Sequence, residues 1–282
     1  MSVGADGRLL MHCHGGCSTD AVLAALELRP ADLFPDRGST GGNFAGFVDA
    51  AKRMKRDQPR RPQPPAVNFL PLAKQWHAAA DLSAIADTLG VSIDAMTRMR
   101  AGRVTREQLE QLRTACPNGS GAWAFPMRCH DGRIIGIRTR FDDGTKRAVT
   151  GSRQGLFFDP TLAAAELLHV VEGCSDTAAM LTLGFDNVVG MPSAGQGADL
   201  LALLIQRIAP PTPRCILIAD RDGPGLEGMR RVARQLARWG IRCRVTEPPG
   251  VSNDVRAYLN AGGDAAGVHM LAQGEAEEEI AA

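Results

Sequence analysis

The sequence has no run of about 18 apolar residues, so no membrane-spanning helix is expected. Cysteine is sparse: seven residues, odd in number and scattered, with no signal peptide ahead of them. That argues against a disulfide-stapled secreted domain and for a reducing, cytoplasmic setting. Tyrosine occurs once, as Tyr258, in a stretch that reads as a helix beyond the last strand. This disfavours chemistry built on a tyrosine nucleophile. No Gly-x-x-x-x-Gly-Lys-Ser/Thr loop is present, so no motor of that type is expected. Lysine is scarce as well, with four among 32 basic residues. Net charge is almost absent, at +1. What remains is ordinary globular material. The 282 residues are 44% hydrophobic and 22% charged, enough for one large or two modest domains with a real core.

The small net charge hides an uneven distribution. Residues 1–50 carry −3, residues 51–150 carry +9 and residues 151–282 carry −5. A basic middle is thus joined to an acidic final third.

Along the chain, residues 8–12 read as a short strand and residues 13–17 as a tight turn. A helix with Val22, Leu23 and Leu26 on one face follows. Residues 36–66 read as a basic Pro/Gly-rich linker, in which Lys52, Arg53, Lys55, Arg56, Arg60 and Arg61 accompany one acid, Asp57. Residues 67–117 read as helical. Within them, residues 82–96 break at Gly90 and cap at Ser92, with the spacing of a helix-turn-helix. From 122 to 158 the pattern alternates as strands do, with Asp131-Gly132 and Asp143-Gly144 as hairpin turns. Arg138 and Arg140 share one strand face, with Ile137 and Phe141 on the other. Together with Lys146, Arg147 and Arg153 they form a candidate nucleotide or template surface.

From 168 to 263, strands and helices alternate, which predicts a mostly parallel sheet covered on both faces. Two of its strands end in acids: one at Glu172-Gly173, the other at Asp220-Arg221-Asp222-Gly223-Pro224-Gly225. Functional groups of open parallel sheets gather at the carboxyl ends of strands. Two or three carboxylates meeting there repel unless a cation neutralises them. Hard oxygen donors suit Mg²⁺ or Mn²⁺, as phosphoryl transfer needs. Residues 275–279 read as a disordered acidic tail.

On these residues the chain resembles the Toprim domain and its neighbours in DnaG-type bacterial, phage and plasmid primases. The likeness is carried by Val170-Val171-Glu172-Gly173-Cys174-Ser175-Asp176, by Ile218-Ala219-Asp220-Arg221-Asp222-Gly223 and by Asn253-Asp254. Residues 123–140 and 151–157 are similar to the basic subdomain that precedes Toprim in phage-like primases. His12-Cys13-His14-Gly15-Gly16-Cys17 resembles one knuckle of the primase zinc ribbon.

The resemblance implies an α/β fold, α+β in its entirety: a Rossmann-like, mostly parallel Toprim sheet preceded by a basic helical and β-hairpin subdomain. It implies a zinc-ribbon-like segment at 1–35, the linker at 36–66, the primase subdomain at 67–158, the Toprim domain at 159–265 and the tail at 266–282. Glu172, Asp220 and Asp222 would be catalytic and metal-holding, with Asp176 and Asp254 as outer acids. Cys13 and Cys17 would be half of a zinc site. That site calls for a further ligand pair upstream, and residues 1–12 hold no cysteine. Asn253 stands where family members often carry Lys. The implied activity is metal-dependent synthesis of RNA primers on single-stranded DNA from NTPs, with a replicative helicase acting in trans. Two other readings stay open: a Toprim nuclease, and a non-catalytic module that binds single-stranded DNA or a partner.

Overall fold

In the computed structural model the described residues are Ser2–Val3, Leu9–Leu10, Thr19–Ala25 and residues 67–117, 120–193, 195–208, 214–273 and 278–280. The chain divides into two compact units, Met1–Gln63 and Pro64–Ala282. In the first, β1 (Ser2–Val3) pairs antiparallel with β2 (Leu9–Leu10), and α1 (Thr19–Ala25) buries Leu23. Cys13, Cys17 and the linker at 36–66 lie outside the described residues.

The second unit opens with α2 (Phe69–Ala78), α3 (Ser83–Leu89) and α4 (Ile93–Arg98). Asn68 caps α2 by accepting from the Leu70 amide, and Ser92 caps α4 by accepting from that of Ala95. A strand not foreseen in this helical stretch follows, β3 (Gly102–Val104), and then α5 (Arg106–Gln111), entered through a Thr105–Gln108 capping box. The expected hairpin is present as β4 (Ala122–Arg128) and β5 (Ile134–Phe141), extended by β6 (Lys146–Ala148). These strands form an antiparallel sheet in the order β3-β4-β5-β6.

Strands and helices then alternate as β7 (Leu167–Glu172), α6 (Gly173–Thr182), β8 (Val188–Met191), α7 (Ala198–Ile208), β9 (Arg214–Ile218), α8 (Gly223–Ala237) and β10 (Arg242–Thr246). The chain continues through α9 (Val255–Asn260), α10 (Ala265–Gln273) and β11 (Glu278–Ile280). The second sheet has the order β11-β10-β9-β7-β8, parallel except for β11. Successive residues of β9 face opposite sides. Ile216 and Ile218 enter one core with Ala178, Met180 and Val255; Cys215 and Leu217 enter the other with Leu201, Val232 and Leu236. That is why the run is apolar without alternation. Among the described residues no helix is long and apolar enough to cross a membrane.

Gly90 turns with φ 67° and Ser92 caps, as read, and α3 and α4 bury one face. Ile85, Leu89, Ala95 and Met96 are buried against α6, and the Ser92 amide donates to Thr182 Oγ1 at 2.9 Å. The stretch expected as an acidic tail holds α10, which buries Val268, and β11, where Glu279 lies opposite Arg244. Leu156 bridges to Arg128 of β4, and Phe157 bridges to Gly190 of β8. Phe125, Met127 and Phe157 share one core with α6. The two sheets are therefore built around a common interior.

Candidate active site

Glu172 is the last residue of β7, and α6 begins at once behind it. The reversal requires the next residue to take φ 78°, which Gly173 does without the penalty a side chain would bring. On the neighbouring strand, Ala219 continues beyond β9 with its amide on the Thr246 carbonyl at 2.8 Å, and Asp220 follows. The chain then tightens, with the Asp222 amide donating to Asp220 O at 2.7 Å. Asp222 caps α8 by accepting from the Gly225 amide at 2.6 Å. A Cβ on Gly225 would lie 2.8 Å from Asp220 O, so only glycine fits beneath the acids.

Arg221, between the two aspartates, is anchored elsewhere. Its guanidinium donates to Ser252 O at 3.1 Å and Pro248 O at 2.7 Å, and it pairs with Glu247 at 3.2 Å. Its amide donates to Asn253 O at 2.7 Å. This arginine ties the acidic turn to the 247–253 loop, and that loop delivers Asp254, the cap of α9. Asp176, buried in α6, accepts from the Arg256 amide at 3.0 Å, tying α6 to α9.

The structure thus gathers all five sequence-derived acids in one electrostatic neighbourhood. Burial, reinforced by the charges of Glu172, Asp254 and Asp222, pushes the Asp220 carboxyl up to about 7, with Lys146 opposing. Burial and then Asp254 push Asp176 up to about 7 as well, against the Arg256 amide bond. Burial and mutual repulsion raise both carboxyls, and a cation held among them would offset that repulsion. The donors are all carboxylate oxygens, which fits Mg²⁺ or Mn²⁺.

The basic residues divide. Lys146, Arg138 and Arg140 lie close enough for their charges to act on Cys174, two residues past Glu172; burial still pushes that thiol up to about 11. Register places Arg103 opposite Trp123, Trp123 opposite Arg140, and Arg140 opposite Lys146. One cation–aromatic–cation–cation row therefore crosses four strands. At about 4.8 Å per strand it spans roughly 14 Å. Arg103 stacks on the Trp123 ring at 4.8 Å and pairs with Asp142 at 2.8 Å. A cleft of about 540 Å³ lies beside the row, lined also by Ile85, Thr88 and Asp142. None of the five acids lines it. Arg138 donates to Gln154 and to the Pro192 carbonyl. Arg147 is paired opposite Thr139, on the sheet face away from Lys146, and Arg153 lies beyond β6; neither joins the row. Sequence reasoning missed Arg103, Trp123 and Arg221. The alternation of Trp123 with Phe125 was the one signal available.

No family model matches the chain, and no curated protein matches it by sequence. Solved structures do match. The zinc-binding and RNA polymerase domains of the Aquifex aeolicus primase align at 15% identity with a TM-score of 0.58, covering 83% of this chain and 68% of that one. The E. coli primase catalytic core aligns at 17% identity with a TM-score of 0.54, covering 72% and 78%. A DnaG primase catalytic domain bound to single-stranded DNA aligns at 17% identity with a TM-score of 0.56, covering 73% and 79%. An antiparallel sheet fused to a parallel sheet with acids at its carboxyl edge is thus, in this chain, the fold of the DnaG-type primase catalytic core.

Proposed function

We propose that the chain is a primase of the Toprim type, joining ribonucleotides into short RNA primers on single-stranded DNA. The observation that carries this reading is the meeting of Glu172, Asp222, Asp254 and Lys146 within electrostatic reach of Asp220. Held by Glu172, Asp220 and Asp222, Mg²⁺ or Mn²⁺ supplies stabilisation for the charge on the phosphoryl group in transfer. Lys146 and Arg140 draw the triphosphate and the template backbone toward the acids by charge. Trp123 offers a ring on which a template base stacks. The Glu172 carboxylate accepts the proton of the attacking 3′-hydroxyl as the α-phosphate bond forms and pyrophosphate leaves. Asp254 and Asp176 hold α9 against α6 and keep the loop behind Arg221 in place. A replicative helicase acts as partner in trans, and Cys13 with Cys17 contributes half of a zinc site.

The test is primer synthesis by the purified chain with single-stranded DNA, NTPs and Mg²⁺. Short RNA is expected, and Glu172→Gln and Asp220→Asn each lower its yield by about 100-fold or more. Wild-type synthesis by both variants would overturn the site. Mg²⁺-dependent cleavage of the DNA without RNA synthesis would favour a nuclease instead.

A further inference from the structure

The turn between β4 and β5 carries three consecutive side chains of a different chemical kind: Cys129, His130 and Asp131. The turn is closed by two backbone bonds, Cys129 N to Arg133 O at 2.8 Å and Gly132 N to Cys129 O at 3.0 Å. Arg128 fastens it from below, donating from its buried side chain to Gly132 O at 3.1 Å. Held this way, the three side chains converge. One potential ligand atom from each lies within 4.8 Å of the others, and Cys129 Sγ is 3.2 Å from His130 Nδ1.

The sulfur–nitrogen separation is close to that of a coordination shell. With Zn–S near 2.3 Å and Zn–N near 2.0 Å, tetrahedral ligands stand about 3.5 Å apart, so the sulfur and nitrogen need to part by only a few tenths of an ångström. Asp131 at present accepts from the Arg133 amide at 3.0 Å and from Arg133 Nε at 2.6 Å. The Arg133 side chain is 75% exposed and free to swing into water, which releases Asp131 Oδ2. His130 and Asp131 are both half-buried, so each is within reach of an ion from solvent. One sulfur, one imidazole nitrogen and one carboxylate oxygen make a donor set that Mg²⁺ does not favour and borderline-soft ions do.

We propose that Cys129, His130 and Asp131 form a binding site for one borderline-soft divalent cation of the Zn²⁺ class, with an open fourth position. The site is chemically separate from the carboxylates at the ends of β7 and β9, so excess Mg²⁺ does not compete for it. It also does not depend on the Cys13 and Cys17 pair.

Co²⁺ titration of the full chain in excess Mg²⁺ tests this, because thiolate ligation gives Co²⁺ a near-ultraviolet charge-transfer band that oxygen ligation does not. A band saturating at one equivalent is expected, reversed by Zn²⁺ and retained in Cys13→Ser/Cys17→Ser. It should vanish in Cys129→Ser, and affinity should fall by about tenfold or more in His130→Gln and in Asp131→Asn. Absence of the band in the wild-type chain, its persistence in Cys129→Ser, or its loss in Cys13→Ser/Cys17→Ser would overturn the proposal. Should Cys129→Ser fail to fold, the His130→Gln titration decides: unchanged affinity there also overturns it.

Discussion

His169 lies in β7, three residues before Glu172, and is only 2% exposed. Phe185 meets its ring edge-on at 4.8 Å, and His269 packs against Phe185 from the other side. Burial pushes the His169 pKa down to about 4, with Asn187 opposing and His269 adding slightly. The folded chain therefore holds this ring neutral while the unfolded chain protonates it below about 6.5. Stability from this group is complete above pH 6.5 and is lost as pH falls toward 4. The loss amounts to on the order of 3 kcal/mol. Urea unfolding at about pH 7 and about pH 4.5 should show a larger drop for the wild type than for His169→Leu; equal drops would remove His169 from the account. A second residue makes a binding prediction. Stacking on an aromatic contributes about 1–3 kcal/mol per base, so Trp123→Ala should weaken single-stranded DNA binding by about tenfold or more, and Trp123→Phe much less. Fluorescence anisotropy with a labelled oligonucleotide reads both. Equal affinity of all three proteins would mean the Trp123 ring is not part of the template path.

At the scale of elements, α4 is held by charge as well as by its apolar face. Arg98 donates to Asp159 at 2.6 Å and to Asp186 at 2.8 Å. Asp159 is buried, and burial alone would raise its pKa; the Thr161 and Arg98 bonds outweigh that and keep it low. Arg98→Ala strands this carboxylate in the interior, which costs about 3–5 kcal/mol. Chemical denaturation should show that loss, whereas Arg98→Ala/Asp159→Asn should recover much of it. How far such elements were legible depends on their length. The four parallel strands and the β4–β5 hairpin announce themselves through runs of four or more patterned residues, such as Cys215–Ile218 within β9. Strand β3 has three residues, Gly-Arg-Val, too few for alternation to be read, and it forms because β4 offers a partner. The helical pair around Gly90 was read correctly in its cap and turn, but the identity of its partner, α6, lies some 90 residues away in sequence.

For the whole molecule, the near-neutral total conceals an uneven distribution, and Lys146 from the +9 segment acts by charge on Asp220 in the −5 segment. Glu172, Asp220 and Asp222 were legible because they follow recognisable strands or cap a helix, whereas Asp176, inside α6, and Asp254 came only with the resemblance. The basic row was only half legible. Arg138 and Arg140 share a face by simple alternation, but the alignment of Arg103, Trp123 and Lys146 with them depends on the register of three strand pairs. Arg221 was unreadable for a similar reason, since its acceptors belong to a loop about 30 residues further on.

The last strand has a consequence for association. β11 is short, carries Glu278 and Glu279, and covers the outer edge of β10. Without it, the backbone amides and carbonyls of β10 would stand open along the sheet edge, a template on which a second chain adds. A chain cut after Gln273 should self-associate as its concentration rises, while the full chain under the same conditions should not follow it. Light scattering across a dilution series measures this, and identical mass curves for the two would show that β11 is not the guard. Divergent curves would make the β11 backbone a guard against aggregation, a role separate from the acidic cluster.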